Sequence, residues 1–263
     1  MNESDPMHEL PDHIPTAQLL LDLSTEELGA RLLFLMRERK RGAYWHLGAF
    51  KIEELEDELR ERPAHERPGY SDETYRNVVI ALREAWSWLE ANGLIIPDPN
   101  GALAGMKRLS RRASAIEDSS ALANYVLARR VPKELLHPSM ADVVWGALMR
   151  GEFDSAVFHA MKAVEVAVRD AAGLSPADIG VKLMREAFAP DRGRLTDLQS
   201  ERAEQTARME MFAGAVGSYK NPLSHRDVRL ADASEAIEIV LFANHLLRIV
   251  DRRVEAAAAN PRN

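Results

Sequence analysis

Cysteine is absent from these 263 residues. That excludes a disulfide framework, a thiol nucleophile and a Cys-ligated zinc, and it fits a reducing cytoplasm. No run of about 18 apolar residues occurs, so no membrane span is expected. No Lys or Arg precedes Arg31, so the N-terminus lacks the basic start of a secretory signal. Histidine never recurs at the i, i+4 spacing of a zinc-binding helix, and neither a metal site nor a cofactor is expected. There is no P-loop and no dinucleotide fingerprint. His225-Arg226-Asp227 echoes a kinase catalytic loop, but no glycine-rich phosphate loop or Asp-Phe-Gly accompanies it. Ser224 lies beside His225 without a nucleophile elbow.

What remains is an ordinary globular balance, with 46% hydrophobic and 29% charged residues. The length suits two domains, each with its own core. A formal net charge of −7 argues against a protein that coats nucleic acid by overall charge. Local basic clusters exist all the same: Arg37, Arg39, Lys40 and Arg41, and again Lys107, Arg108, Arg111 and Arg112. The blander account of each is a solvated helix end or loop. Glu3, Asp5, Glu9 and Asp12 sit in a Pro-containing leader, residues 1–18, expected to be flexible.

The first half reads as three helices and a strand pair. Ser24 and Glu27 have capping-box spacing, and Leu28, Leu32, Leu33 and Met36 line one face of the helix that follows. A second helix is expected over residues 50–61, closed by Pro63, and a third over 71–92, with Val78, Val79, Leu82, Ala85, Trp86 and Leu89 at helical spacing. Gly93 ends the third helix, residues 94–96 form a short strand, 97–101 a turn, and 102–109 a returning strand. This pattern, with its Trp88-Leu89-Glu90-Ala91-Asn92-Gly93-Leu94-Ile95 ending, resembles a winged helix-turn-helix domain spanning 19–115. In that reading DNA contacts would come from Arg76, Asn77 and Arg83 on the third helix and from Lys107 and Arg108 on the wing. Winged helices also serve as protein-interaction modules.

The second half reads as helix throughout. A helical linker covers 116–138, a bundle 139–255 and a tail 256–263. Expected helices lie at 119–130, 140–149, 153–172, 179–188, 195–219 and 236–254, broken at residues 132–138, at Gly151 and Gly173 and over 190–193. Asp232 and Glu235 mark the cap of the last one.

Residues 219–226 (Tyr-Lys-Asn-Pro-Leu-Ser-His-Arg) concentrate the most chemistry. Asn is a preferred N-cap and Pro a preferred first helical residue, so a helix is expected to begin at Pro222. Its first N–H groups would favour an anion, flanked by Lys220 and Arg226, with His225 able to titrate near neutrality. The same residues are also consistent with a plain helix start. Glu165 and Arg169 have the spacing of a surface ion pair, and His159 and His245 read as core or interface histidines.

Several stretches in order are similar to the Ymh family, an uncharacterised bacterial group often associated with phages and mobile elements. They are residues 151–158 (Gly-Glu-Phe-Asp-Ser-Ala-Val-Phe), 162–169 (Lys-Ala-Val-Glu-Val-Ala-Val-Arg), 183–188 (Leu-Met-Arg-Glu-Ala-Phe) and 219–226. That family resembles a branch of the HEPN superfamily of helical bundles, found in RNA-cleaving toxins and defence effectors. The resemblance places Lys220 where HEPN nucleases carry Arg, Asn221 at the polar position after it and His225 at the histidine. Lys is not equivalent to Arg there, since it offers a point charge instead of a bidentate fork. The resemblance implies a homodimer acting on RNA without metal: His225 as base or acid, Lys220 stabilising charge, Asn221 orienting the phosphate or imidazole, and Glu165, Arg226 and Tyr219 in support. It also turns the helix of Glu165 towards the motif, where Glu165 would hold Lys220 or His225 instead of Arg169. The expected fold is therefore mainly α: an N-terminal winged helix-turn-helix with a two-stranded wing, then a C-terminal HEPN-like helical bundle. Against the ribonuclease stand a non-catalytic nucleic-acid-binding or regulatory dimer and a plain helical scaffold.

Overall fold

The computed structural model describes residues 10–41, 49–60, 72–99, 105–225 and 230–259. It is mainly helical with one small sheet, and it divides into two units, residues 1–122 and 123–263. No helix among the described residues is long and apolar enough to cross a membrane.

The first unit holds α1 (Leu10–His13), α2 (Ala17–Asp22), α3 (Thr25–Arg41), β1 (Ala49–Phe50), α4 (Ile52–Asp57), α5 (Asp72–Ala91), β2 (Ile95–Pro97), β3 (Lys107–Leu109) and α6 (Arg111–Ala115). Helix α3 starts at a reciprocal cap. The Glu27 N–H donates to Ser24 Oγ at 3.2 Å, and the Ser24 N–H donates to Glu27 Oε2 at 2.8 Å. Its stripe of Leu28, Leu32, Leu33 and Met36 is buried, as are Val78, Leu82, Ala85 and Leu89 of α5, against which α3 packs. Residues 10–18 of the expected leader contain α1 and the start of α2. Leu10 and Ile14 are fully buried, and the Leu10 N–H donates to Glu58 Oε2 at 2.8 Å.

The expected two-stranded wing is a three-stranded antiparallel sheet in the order β1-β3-β2. Phe50 pairs with Lys107, and Ile95 with Leu109. The expected second helix is correspondingly shorter, because its first residue, Phe50, is buried in the sheet and α4 covers only Ile52–Asp57. A strand of two residues whose partner lies far along the chain has no local signature. Pro63, the last two residues of the expected turn (100–101) and the first three of the expected returning strand (102–104) lie outside the described residues, and the described part of that strand is β3, Lys107–Leu109. Helix α6 was not expected. Its cap is Ser110, whose Oγ accepts from the Ala113 N–H at 3.1 Å.

In the second unit, α7 (Ser119–Arg129), which begins before the division at residue 122, is followed by a 3-10 turn over Lys133–Leu135. Then come α8 (Ala141–Arg150), α9 (Phe153–Ala172), α10 (Gly180–Ala187), α11 (Arg202–Ala215), a π turn over Val216–Lys220, α12 (Asn221–His225) and α13 (Ala233–Ala259). The core runs along α9 and α13, through Ala156, Ala160, Val164 and Val168 on one and Val240, Ala243, Leu247 and Val250 on the other. Asp232 precedes α13, and its carboxylate accepts from the Ser234 N–H at 2.8 Å.

The helix expected over 195–219 starts only at Arg202, and residues 188–201 form an irregular loop tied down by buried polar groups. Thr196 Oγ1 donates to the Ala189 carbonyl at 2.9 Å, and Gln205 accepts from the Asp191 N–H at 2.9 Å and donates to the Ser200 carbonyl at 3.0 Å. Arg253 donates to the Leu195 and Thr196 carbonyls and pairs with Asp197 at 3.0 Å. Gly193 sits where a Cβ would lie 2.4 Å from the Ala189 nitrogen and 2.7 Å from the Ala187 carbonyl oxygen, so no side chain fits.

Gly193→Ala is expected to destabilise the protein by about 2 kcal/mol or more, because backbone must move to admit the methyl group. Urea unfolding with an unchanged midpoint would refute this. The Ser24 backbone N–H holds the Glu27 carboxyl below the usual glutamate range. Its contribution to stability is therefore present above the unfolded-chain value and lost as pH falls through the lower folded value. Glu27→Gln should accordingly flatten the fall in unfolding midpoint as pH drops from neutrality through the carboxylate range; identical slopes in both proteins would contradict it.

Candidate functional site

The carboxylate of Glu165 is the organising charge of the second unit. Helix α9 turns it inward beside Met161, Val164 and Val168, and Glu165 itself is buried. A buried carboxylate must be matched by donors and an opposite charge. Two groups do this. The Gly180 N–H, at the first residue of α10, donates to Oε2 at 2.8 Å. Lys220 Nζ lies 3.3 Å from Oε1 and 3.2 Å from Oε2, and its side chain keeps only 15% of its surface exposed. Gly180 has φ +66°, a left-handed conformation that a residue with a Cβ adopts only with strain.

Lys220 reaches this position through the π turn. The Asn221 N–H donates to the Val216 carbonyl, an i→i−5 bond, and Asn221 has φ −62° and ψ −43°. The helix expected to begin at Pro222 therefore does not begin there, and Asn221 is not an N-cap. Helix α11, the π turn and α12 are consecutive in the chain with no break between them. Proline inside a helix removes an i→i−4 donor and crowds the carbonyl of residue i−4. A wider turn just ahead of it is where the bonding register shifts. With no helix start at this point, the free N–H groups expected to cradle an anion are absent. The Asn221 side-chain oxygen lies beside Gly180, 3.9 Å from where a Cβ on that glycine would stand.

Glu165 and Arg169, read from their spacing as a surface pair, are not partners, since Glu165 is buried against Lys220 and Arg169 lies 4.0 Å from Asp170. Tyr219 is exposed. His225 closes α12, but its side chain and the whole of Arg226 lie outside the described residues. His159 is half-buried and meets Phe158 edge-on at 5.5 Å. His245, expected in a core or interface, is exposed. Among the described residues no group of three or more His, Asp or Glu side chains is placed to hold a metal.

In the first unit the five residues proposed for DNA divide into two sets. Arg76 and Asn77 are exposed on α5. The other three face acids. Arg83 grips Glu56 through Nε at 2.6 Å and Nη2 at 3.0 Å, Lys107 pairs with Glu90, and Arg108 lies 3.7 Å from Asp98. The Glu56 hydrogen bond raises the Arg83 pKa further. Arg39, placed in the first basic cluster, is buried and paired with Glu58 at 2.8 Å. A phosphate would have to displace an acid to reach any of these four cations.

Two features lay beyond sequence reasoning. The His137 ring bridges Ser139 Oγ at 2.7 Å and Asp251 Oδ2 at 2.9 Å, and the His137 backbone N–H donates to Asn244 Oδ1 at 2.6 Å, which pins the turn before α8 to α13. The other is a cavity of about 770 Å³ lined by the loop before α11, by α11 and by α13. Both join residues more than 40 positions apart in the chain, a distance no local pattern spans.

Residues 134–250 match the model of a family described as "Protein of unknown function (Hypoth_ymh)". The match supports the Ymh family for the C-terminal half. No curated protein and no solved structure matches the chain.

Removing one member of the Glu165–Lys220 pair strands a buried charge. Lys220→Met is expected to cost about 3 kcal/mol, and the double variant Glu165→Gln/Lys220→Met distinctly less, because no uncompensated charge is left. Additive losses in urea unfolding would show that the two groups do not interact.

Proposed function

We propose that the C-terminal unit is a metal-independent, HEPN-type endoribonuclease and that the N-terminal unit is a winged-helix sensing or binding module. The carrying observation is the contact of Glu165 with Lys220. It anchors the cation that the family resemblance assigns to the scissile phosphate, five positions before His225 in the same run of helix. In this reading His225 takes the proton of a ribose 2′-hydroxyl, and the 2′-oxygen attacks phosphorus. The bond from phosphorus to the 5′-oxygen breaks, and His225 of a second copy of the chain protonates that oxygen. The products are a 2′,3′-cyclic phosphate and a 5′-hydroxyl. Lys220 stabilises the extra negative charge on phosphorus, and Asn221 orients the phosphate or the imidazole. Phage defence or mobile-element biology is the setting the resemblance suggests.

Support for the winged-helix reading is the order helix, strand, helix, helix, strand, strand from α3 to β3, with β1 joining the hairpin of β2 and β3. Arg76 and Asn77 on the exposed side of α5 are then the contacts left for DNA.

A second reading, a non-catalytic nucleic-acid-binding or regulatory dimer, is favoured by the charge matching. Glu165 already neutralises Lys220, and acids already engage Arg83, Lys107 and Arg108. The two readings separate on one experiment with purified protein in EDTA and in expressing cells. The nuclease cuts RNA to cyclic-phosphate ends, loses at least about 10²-fold in His225→Ala, and keeps activity in Lys220→Arg, which restores the bidentate cation. Intact RNA with wild type, together with salt-dependent nucleic-acid binding, would sink the nuclease reading and leave the binding one.

A further inference from the structure

The cavity beside α13 is built, not incidental. Its wall is the loop of residues 188–201, at the length where irregular segments in compact domains are uncommon and usually functional. Holding that loop in one shape consumes the buried side chains of Thr196 and Gln205, three interactions of Arg253, and a glycine at position 193 that tolerates no Cβ. Asp191 in the same loop adopts φ +65°, the only non-glycine residue to do so among those described. The result is a preformed recess within the size range of small-molecule sites.

Its lining is chemically divided. The apolar part comes from Leu195, Met211 and Ile249. Arg208 and Arg252, one from α11 and one from α13, also line it, and both are exposed and make no hydrogen bond or ion pair among the described residues. His245 lines it too. Of the two acids in the lining, Asp197 is neutralised by Arg253, and Glu204 is the one left to set against the two arginines. Elsewhere in the chain Arg39, Arg83 and Arg150 each hold a carboxylate. Two guanidiniums from facing helices suit a doubly charged oxyanion, which they can grip with paired N–H donors.

We propose that this cavity is a binding site for an organic phosphate monoester, with the phosphate held by Arg208 and Arg252 and the apolar part of the ligand seated against Leu195, Met211 and Ile249. None of Glu165, Lys220 and Asn221 lines it, so the inference stands apart from the ribonuclease reading.

Fluorescence titration of the full chain with 1-naphthyl phosphate tests it, with 1-naphthol and inorganic phosphate as the two halves of the ligand. Saturable binding is expected, tighter for the ester than for either half. Affinity should fall by at least about tenfold in Arg208→Ala/Arg252→Ala, whose truncated side chains are exposed, and stay unchanged in Arg150→Ala on α8. Three results would each overturn the proposal: no saturation up to about 1 mM, the weak limit of specific affinity; equal binding by the double variant; or naphthol binding as tightly as the ester.

Discussion

One buried carboxylate sets the geometry of the C-terminal unit. Glu165 lies on the inner face of α9, where an ionised group is tolerated only if donors and a cation come to it. A backbone N–H arrives from the first residue of α10, and an ammonium arrives from the end of the π turn. Three elements are thereby fixed to one point. The glycine at 180 and the irregular turn over Val216–Lys220 both serve that convergence. Lys220 is a constrained charge, held close to its counter-ion, and any chemistry it performs on a phosphate proceeds with Glu165 beside it.

The same matching of charge recurs in the N-terminal unit and contrasts with the cavity. Arg39, Lys107 and Arg108 of the two basic clusters each face an acid within the fold, as does Arg83 on α5. Arg208 and Arg252 hold none among the described residues, although the protein carries a surplus of seven negative charges. Cations left unpaired at a recess in an acidic protein are a more informative sign than cations clustered in sequence.

How much of this was legible in the chain depended on whether the cause was local. Helix α9 and its closing Gly173, the reciprocal cap of Ser24 and Glu27, and the apolar stripe of α3 all follow from residues within a few positions of one another. Strand β1 was missed because its partner lies far along the chain, with Phe50 opposite Lys107, 57 positions away. The start of α11 was misplaced because the loop before it is held by Arg253, a residue from another helix. Asn221-Pro222 carries a strong local signal for a helix start, yet the π turn, packed on α9, carries the helix through it. At the candidate site, spacing alone suggested Arg169 as the partner of Glu165. The family resemblance, unlike the spacing, offered Lys220 or His225 instead, and the fold brings Lys220 there from 55 positions away.

The π turn has a further consequence. An i→i−5 turn accommodates one residue more than the α-helix it interrupts, and each residue advances a helix by about 100°. The backbone of α12, Asn221–His225, is thus rotated about its axis relative to where an uninterrupted α11 would have placed it. The lysine, asparagine and histidine share a register that the preceding helix does not have, a frameshift in space with none in the gene. An ancestor or relative lacking one residue between 216 and 220 would keep the same motif letters and present them to a different side of the bundle.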